Sequence, residues 1–319
     1  MPRISIVIPV KNGQQTLGDC LKAISEQSIY PEIEIIILDS ESVDGSVEIA
    51  KSFGAKIITI PNNTFDHGLT RNIGVGYAQG ELIFLTVQDA VLADKVMLEK
   101  MAAHFQDANV MSVCGHQAVS HDKDKNPLLW FKRYSEPKAI VKKFSPEEFN
   151  QLSIRERVDN ARWDDVVAMY RKEALIEQPF IQTEFAEDCV WAYQALSKGW
   201  KLVYDPSILV FHYHHSGYKY AYKVAFSINY HFYHFFGYLP SLPISMKPIL
   251  QVPYQLIKNP ALSIREKIYW LVYNYSEMLG NFFSHLYFLT IYKLKGGNGV
   301  KKSFEKICKQ IPQGQQKKL

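Results

Sequence analysis

An α/β fold built on a mostly parallel sheet is predicted by three features of this 319-residue sequence. Short apolar runs alternate with segments of helical spacing through the first hundred residues, and parallel strands need such crossover connections. The hydrophobic content of 47% implies a sizeable core. Pro9, Asp39 and Asp89 fall at or just beyond the carboxyl ends of predicted strands, where open parallel sheets bind ligands.

In order along the chain, ISIVIP (4–9) reads as a buried strand, and Leu17, Leu21 and Ile24 then recur at helical spacing. EIEIIILD (32–39) is a second strand. Asp44 is placed to cap a helix carrying Ile49 and Phe53. AKIITIP (55–61) is a third strand, LTRNIGVGYAQG (69–80) a helix stopped by Gly80, and ELIFLT (81–86) a fourth strand. Asp94 caps a helix with Met97, Leu98, Met101 and Phe105. Between about 115 and 165 the pattern is irregular and charged, and predicts a partly mobile excursion over the carboxyl-end face. DDVVAMYRK (164–172) returns to strand. FAEDCVWAYQALSKG (185–199) reads as a helix, and WKLVYDPSILVFHYHH (200–215) as two short strands and a histidine cluster.

The composition shifts to Tyr, Phe and His near residue 216, with prolines at 240, 243, 248, 253 and 260. This divides the chain into a catalytic domain over 1–215 and a helical extension over 216–319. Helices in the extension are expected to be short and broken except over 263–293. From Lys293 onward eight Lys and one Glu give a local charge of +7 against a net +4. The preceding chain is therefore about −3, which argues against a general nucleic-acid partner. Four unpaired, scattered cysteines and an N-terminus that enters a strand at once predict a cytoplasmic protein with reduced thiols. No run of 18 uncharged apolar residues predicts a membrane span.

The ordered segments ISIVIPVKNG, ILDSESVDGS, FDHGLTRNIGVGYAQGE, LTVQDA, AED and VFHYH resemble those of the family 2 glycosyltransferases. The pieces FxHGxTRN and TxQDA are most similar to the rhamnosyltransferase branch, and the resemblance covers roughly residues 3–220. It implies a GT-A (Rossmann-like) sheet flanked by helices, with the aromatic helical extension appended. It also implies an inverting transfer from a dTDP-, UDP- or GDP-linked sugar. An acid at the place of Asp39 accepts the imide N–H of uracil or thymine in this family; the alternative is a turn or capping acid.

Gly68 permits an unusual backbone angle, and a helix N-terminus beside a guanidinium suits a diphosphate. His67 and Arg71 are therefore expected at the donor, with Pro9, Val10, Gln88 and Asp89. The alternatives are an Arg71 salt bridge to a nearby acid and a His67 that only bonds its loop. Many relatives carry Asp-x-Asp where this chain has Val87-Gln88-Asp89, and the rhamnosyltransferase-like branch likewise lacks the first acid. With one acid left, Asp89 and His212 are the expected ligands of a divalent ion, Mn²⁺ or Mg²⁺. The alternative is a histidine cluster bonded to a carboxylate or the acceptor.

Glu187-Asp188 matches the family's acidic pair. Asp188 is expected to deprotonate the acceptor hydroxyl, and Glu187 to orient it or touch the sugar; the alternative is two acids complementing a helix dipole. Trp163 suits a sugar face or a packed core equally. The long aromatic segment 264–295 and the lysines after it suit the face of an anionic membrane and a glycan or lipid-linked acceptor. A catalytically inactive binding or scaffold subunit is the rival reading, favoured by the missing first acid.

Overall fold

The computed structural model describes residues 2–132 and 137–308, and the chain falls into two compact units. The first comprises residues 1–118 and 133–212, the second 119–132 and 213–319. Residues 119–132, read from sequence as part of an excursion, thus group with the helical unit.

The first unit opens with β1 (Ile4–Val10), α1 (Leu17–Ser25), β2 (Ile33–Asp39), α2 (Ser46–Ser52), β3 (Lys56–Thr59), α3 (His67–Tyr77) and β4 (Leu82–Leu85). β1 pairs in parallel with both β2 and β4, and β2 with β3. The strands are apolar on both faces because the sheet is covered on both. Ile4, Ile6 and Ile8 join one core with Leu17 and Leu21 of α1. The alternate residue Val7 joins the other, with Ile36 and Leu38.

The unit continues with β5 (Val91–Leu92), α4 (Met97–Ala103), β6 (Val110–Ala118), β7 (Ile140–Lys142), α5 (Pro146–Gln151), α6 (Ile154–Asn160), β8 (Ala168–Arg171), α7 (Lys172–Glu177), α8 (Glu187–Ser197) and β9 (Lys201–Phe211). The strand order is β3-β2-β1-β4-β8-β6-β9-β5, with β7 also paired to β9. β8 lies antiparallel between β4 and β6, and β6 runs parallel to β9.

The stretch expected to be irregular is instead ordered in large part. β6 reaches Ala118, and α5 and α6 each begin with a capping box, Ser145 with Glu148 and Ser153 with Glu156. Residues 200–215 hold one eleven-residue strand, not two short ones. Register shifts against β6 absorb its irregularity. α3 starts at His67, capped by Asp66, whose carboxylate accepts the Leu69 N–H at 2.9 Å.

The second unit holds α9 (Tyr218–Phe236), α10 (Met246–Lys258) and α11 (Ile264–Ile307), the last interrupted at Gly296, where φ is 62°. The expectation of short helices before residue 263 is therefore wrong for α9, which runs 19 residues. α9 lies so close to α11 at Gly280 that a Cβ there would sit 2.7 Å from the Tyr218 carbonyl oxygen. Phe226 and Tyr230 of α9 pack with Phe288 and Phe304 of α11. Trp270 and Tyr273 pack with Val252 and Leu256 of α10. Much of the aromatic character thus builds this unit's own core. Among the described residues no helix is long and apolar enough to cross a membrane.

Gly80 stands where α3 returns to the sheet; a Cβ there would lie 2.7 Å from the Ser5 nitrogen and 2.9 Å from the Arg3 carbonyl oxygen. Backbone cannot yield as a side-chain tip can. Gly80→Ala is expected to cost about 1–3 kcal/mol, the range for overpacking, read as a lower urea midpoint at unchanged slope.

Candidate active site

Asp39 ends β2 opposite Val10 of β1. It is 4% exposed; Oδ2 accepts the Ser42 N–H at 3.1 Å, while the buried Oδ1 has no hydrogen-bond partner among the described residues. The loops after β1 and β2 are laced together. Lys11 donates its ammonium to the Ser40 and Glu41 carbonyls. Asn12 bonds Ser42 and Val43. Asn12 and Glu41 adopt left-handed backbone, φ 48° and 56°, and these bonds help hold it. Val10 is a core side chain whose carbonyl accepts the Ser40 N–H at 2.9 Å, and Pro9 beside it is half-buried. Gln88 makes a reciprocal pair with the Lys11 backbone, accepting at 2.8 Å and donating at 3.3 Å. Its carboxamide therefore fixes the β1 loop.

Asp89 follows directly. Its Oδ1 lies 3.4 Å from His212 Nε2. His212 immediately follows β9, its N–H donating to the Ala118 carbonyl at 3.1 Å. The other ring nitrogen, Nδ1, is 2.8 Å from Gln117 Oε1, and the Gln117 amide donates to Asp164. A carboxylate oxygen and an imidazole nitrogen this close fit a divalent ion that takes mixed oxygen and nitrogen donors. Burial and then the Asp89 charge push the Cys20 thiol up to about 12, so it stays neutral nearby.

Arg71 is buried, and its guanidinium is engaged by Glu187 and by Asp165, the latter at 3.3 Å. Tyr170 donates its hydroxyl to the other oxygen of Asp165. Desolvation opposes charge on Arg71, but Glu187 and Asp165 outweigh it and raise its pKa. Asp165 is raised to about 7, by burial first, with Arg71 pulling the other way. Asp188 accepts the Asp165 N–H at 3.3 Å and the Cys189 N–H at 2.6 Å. Burial, then Glu187 and Asp165, hold its carboxyl well above the usual range. Ala186 opens the helix of these acids in left-handed backbone, φ 68°.

The FDHGLTRN motif thus docks α3 onto the approach to α8. Asn72 exchanges hydrogen bonds with the Phe180 backbone at 2.8 and 3.0 Å. Gly68 has no positive φ, contrary to the expectation of an unusual angle. It is glycine because a Cβ would lie 2.0 Å from the Ile181 carbonyl oxygen. His67, the first residue of α3, packs edge-on to Phe65, and burial lowers its pKa. Arg71 was expected at the donor phosphates and is found holding two acids. Trp163 is a core residue bonded to Ser112, and His215 packs among Tyr269, Trp270 and Tyr273 within the second unit.

Gln117 is not marked out by the sequence, because its partners Asp164 and His212 lie 47 and 95 positions away; Asp165 is legible only as lying just before a strand that should border the acceptor. The predicted site residues nevertheless lie in one unit, and several are linked by contacts that alternate with chain neighbours. Lys11 bonds Ser40, which follows Asp39; Gln88, which precedes Asp89, bonds the Lys11 backbone; Asp89 lies beside His212; Gln117 joins His212 to Asp164; and Asp188 accepts the N–H of Asp165, the next residue.

Replacing Arg71 by Met is expected to destabilise the protein by about 3–5 kcal/mol, the cost of orphaning buried partners. The deficit shrinks as pH falls, because protonating Asp165, whose pKa burial already raises to about 7, removes part of the uncompensated charge. Chemical unfolding at pH 8 and pH 5 checks both size and sign.

A family model described as "Glycosyl transferase family 2" matches residues 5–176. The O-antigen chain rhamnosyltransferase RfbN of Salmonella typhimurium is 32% identical over 219 residues, which is 66% of this chain and 67% of its own length. The O-antigen chain rhamnosyltransferase WbaN of Salmonella anatum is 32% identical over 222 residues, 67% of each chain. Among solved structures, S. aureus TarS 1-349 is similar with a TM-score of 0.54 at 14% identity, covering 97% of this chain and 83% of that one. The mannosyltransferase PcManGT from Pyrobaculum calidifontis, solved with GDP-Man and Mn²⁺, gives 0.56 at 16% identity, covering 95% and 87%. At such identities these two show the shared GT-A fold alone.

Proposed function

The chain belongs to glycosyl transferase family 2, and from that premise we propose an inverting transfer of rhamnose from a nucleoside-diphosphate donor to a hydroxyl of a surface glycan or its lipid-linked precursor. What supports the reading is that the segments carrying Asp39, Asp89, His212 and Asp188 are bonded to one another within one unit. The rhamnose assignment draws on the names of the two Salmonella relatives, and dTDP-rhamnose is the donor proposed.

Asp39 keeps one buried carboxylate oxygen for the imide N–H of thymine or uracil; a buried acceptor gains from pairing and costs about 1–3 kcal/mol when left unmade. Asp89 and His212 would hold a divalent ion, which would supply charge neutralisation for the departing diphosphate. Asp188 takes the acceptor's proton as its oxygen attacks the anomeric carbon from the side opposite the diphosphate. Burial, then Glu187 and Asp165, raise its pKa, which makes its carboxylate a stronger base than an exposed one. Arg71, through Glu187 and Asp165, is a positioning residue that aims the start of α8. His67 lies beside Arg71 and is kept neutral by burial, so it bonds without adding charge.

The protein works at the cytoplasmic face of an anionic membrane. Exposed lysines at 293, 295, 301, 302 and 306 support this. Lys309, Lys317 and Lys318 of the basic tail lie outside the described residues.

Asp188→Asn is expected to lower the transfer rate by about 10²–10⁴-fold while dTDP binding, read by calorimetry, is unchanged. Wild-type turnover in that variant rejects the assignment. Transfer by the wild type stops with EDTA and returns with Mn²⁺. An inactive scaffold would show no turnover under either condition.

A further inference from the structure

Gln117 closes β6 between two side chains that tell its ends apart. Its amide nitrogen faces Asp164 and its oxygen lies 2.8 Å from His212 Nδ1. An ionised carboxylate only accepts hydrogen bonds, so the end of the carboxamide toward Asp164 is the NH₂. The end toward His212 is then a carbonyl oxygen, which also only accepts, so Nδ1 must carry a hydrogen. In the neutral ring this leaves a lone pair on Nε2, 3.4 Å from Asp89 Oδ1. An imidazole lone pair and a carboxylate oxygen at this separation suit a cation that both can reach.

We propose that Gln117, oriented by Asp164, is a positioning residue that locks His212 in the Nδ1–H tautomer and turns Nε2 with Asp89 toward a divalent ion. The assignment rests on the metal reading above. Removing the group bonded to the far ring nitrogen of a metal-bound histidine typically changes affinity by about 10–100-fold.

The test is ¹⁵N NMR of His212 in the metal-free full chain, together with Mn²⁺ titration in the presence of dTDP, followed by EPR. The wild type is expected to show Nδ1–H and to bind Mn²⁺. Gln117→Leu is expected to mix the tautomers and weaken Mn²⁺ by about 10–100-fold. Asp164→Asn, which lets the amide turn over, gives a partial form of the same change. Unchanged tautomer and unchanged Mn²⁺ affinity in both variants overturn the proposal. Nδ1–H in a wild type that takes up no Mn²⁺ overturns the metal reading and leaves the tautomer assignment standing.

A separate observation in the second unit concerns α10. Val252 and Leu256 are buried, whereas Met246, Leu250, Tyr254 and Ile257 recur at three- and four-residue spacing and are 57–72% exposed. No Asp or Glu occurs from Gly237 to Ser263, while Lys247 and Lys258 lie near the two ends of the helix. Tyr254 and Lys258 also line a cleft of about 320 Å³ with Trp130 and Lys132. An exposed apolar stripe with only basic charge beside it matches a bilayer with anionic headgroups.

We infer that the outer face of α10 is the element that docks on such a bilayer, an assignment that rests on the membrane reading. Full-length protein is expected to co-sediment with vesicles containing phosphatidylglycerol and not with pure phosphatidylcholine. Leu250→Glu/Ile257→Glu, with Ile257→Ser as a milder check on folding, is expected to lower vesicle binding by about tenfold or more with dTDP affinity unchanged. Undiminished binding by both variants overturns the role of α10 and leaves membrane attachment to the lysines. No binding by the wild type overturns the membrane reading. Concentration-dependent self-association that the substitutions abolish assigns the face to a second copy instead and likewise overturns the proposal.

Discussion

A single guanidinium among carboxylates is the constraint on which the catalytic face depends. Arg71 on α3 meets Asp165 before β8 and Glu187 at the start of α8, with Asp164 and Asp188 next to those acids in the chain. Burying such groups is costly, and the arrangement persists only while every member is paired. Three segments up to 116 positions apart in sequence are thereby held in one geometry. The acids at the head of α8 cannot shift without leaving the buried Arg71 guanidinium short of a partner. Specific placement, more than net stability, is what an ion cluster of this kind provides.

The parts of the fold that were legible in the sequence are those with strong local signals. β1, β2 and β4 are uninterrupted apolar runs, and α8 carries acids at its start and glycine just past its end. β6 was missed because VMSVCGHQA mixes small and polar residues. It is a strand through pairing with β8 and β9, neither of which is near in sequence. The short α5 and α6 did have a signal, the S-x-x-E box, hidden by a charged background.

The site divides in the same way. Asp39, Asp89, Asp188 and His212 stand out by residue type and motif. What Arg71, Gly68 and Gln88 contact is decided by partners that only folding supplies. The family motif told where Arg71 lies and not which acid it holds. Non-glycine residues in left-handed backbone are equally invisible to pattern reading. Asn12, Glu41 and Ala186 all occur in loops that border the site. Each is a conformation costing about 1–3 kcal/mol, sustained by its surroundings.

The replacement of an acid by Val87 two residues before Asp89 has a consequence for timing. On the metal reading proposed above, one carboxylate and one imidazole would leave most of the ion's shell to be filled by the diphosphate and by water. Ion and nucleotide would then reach the protein as a single composite guest, each raising the other's occupancy by the same factor. On that reading, scarcity of the ion would idle the protein however abundant the sugar nucleotide.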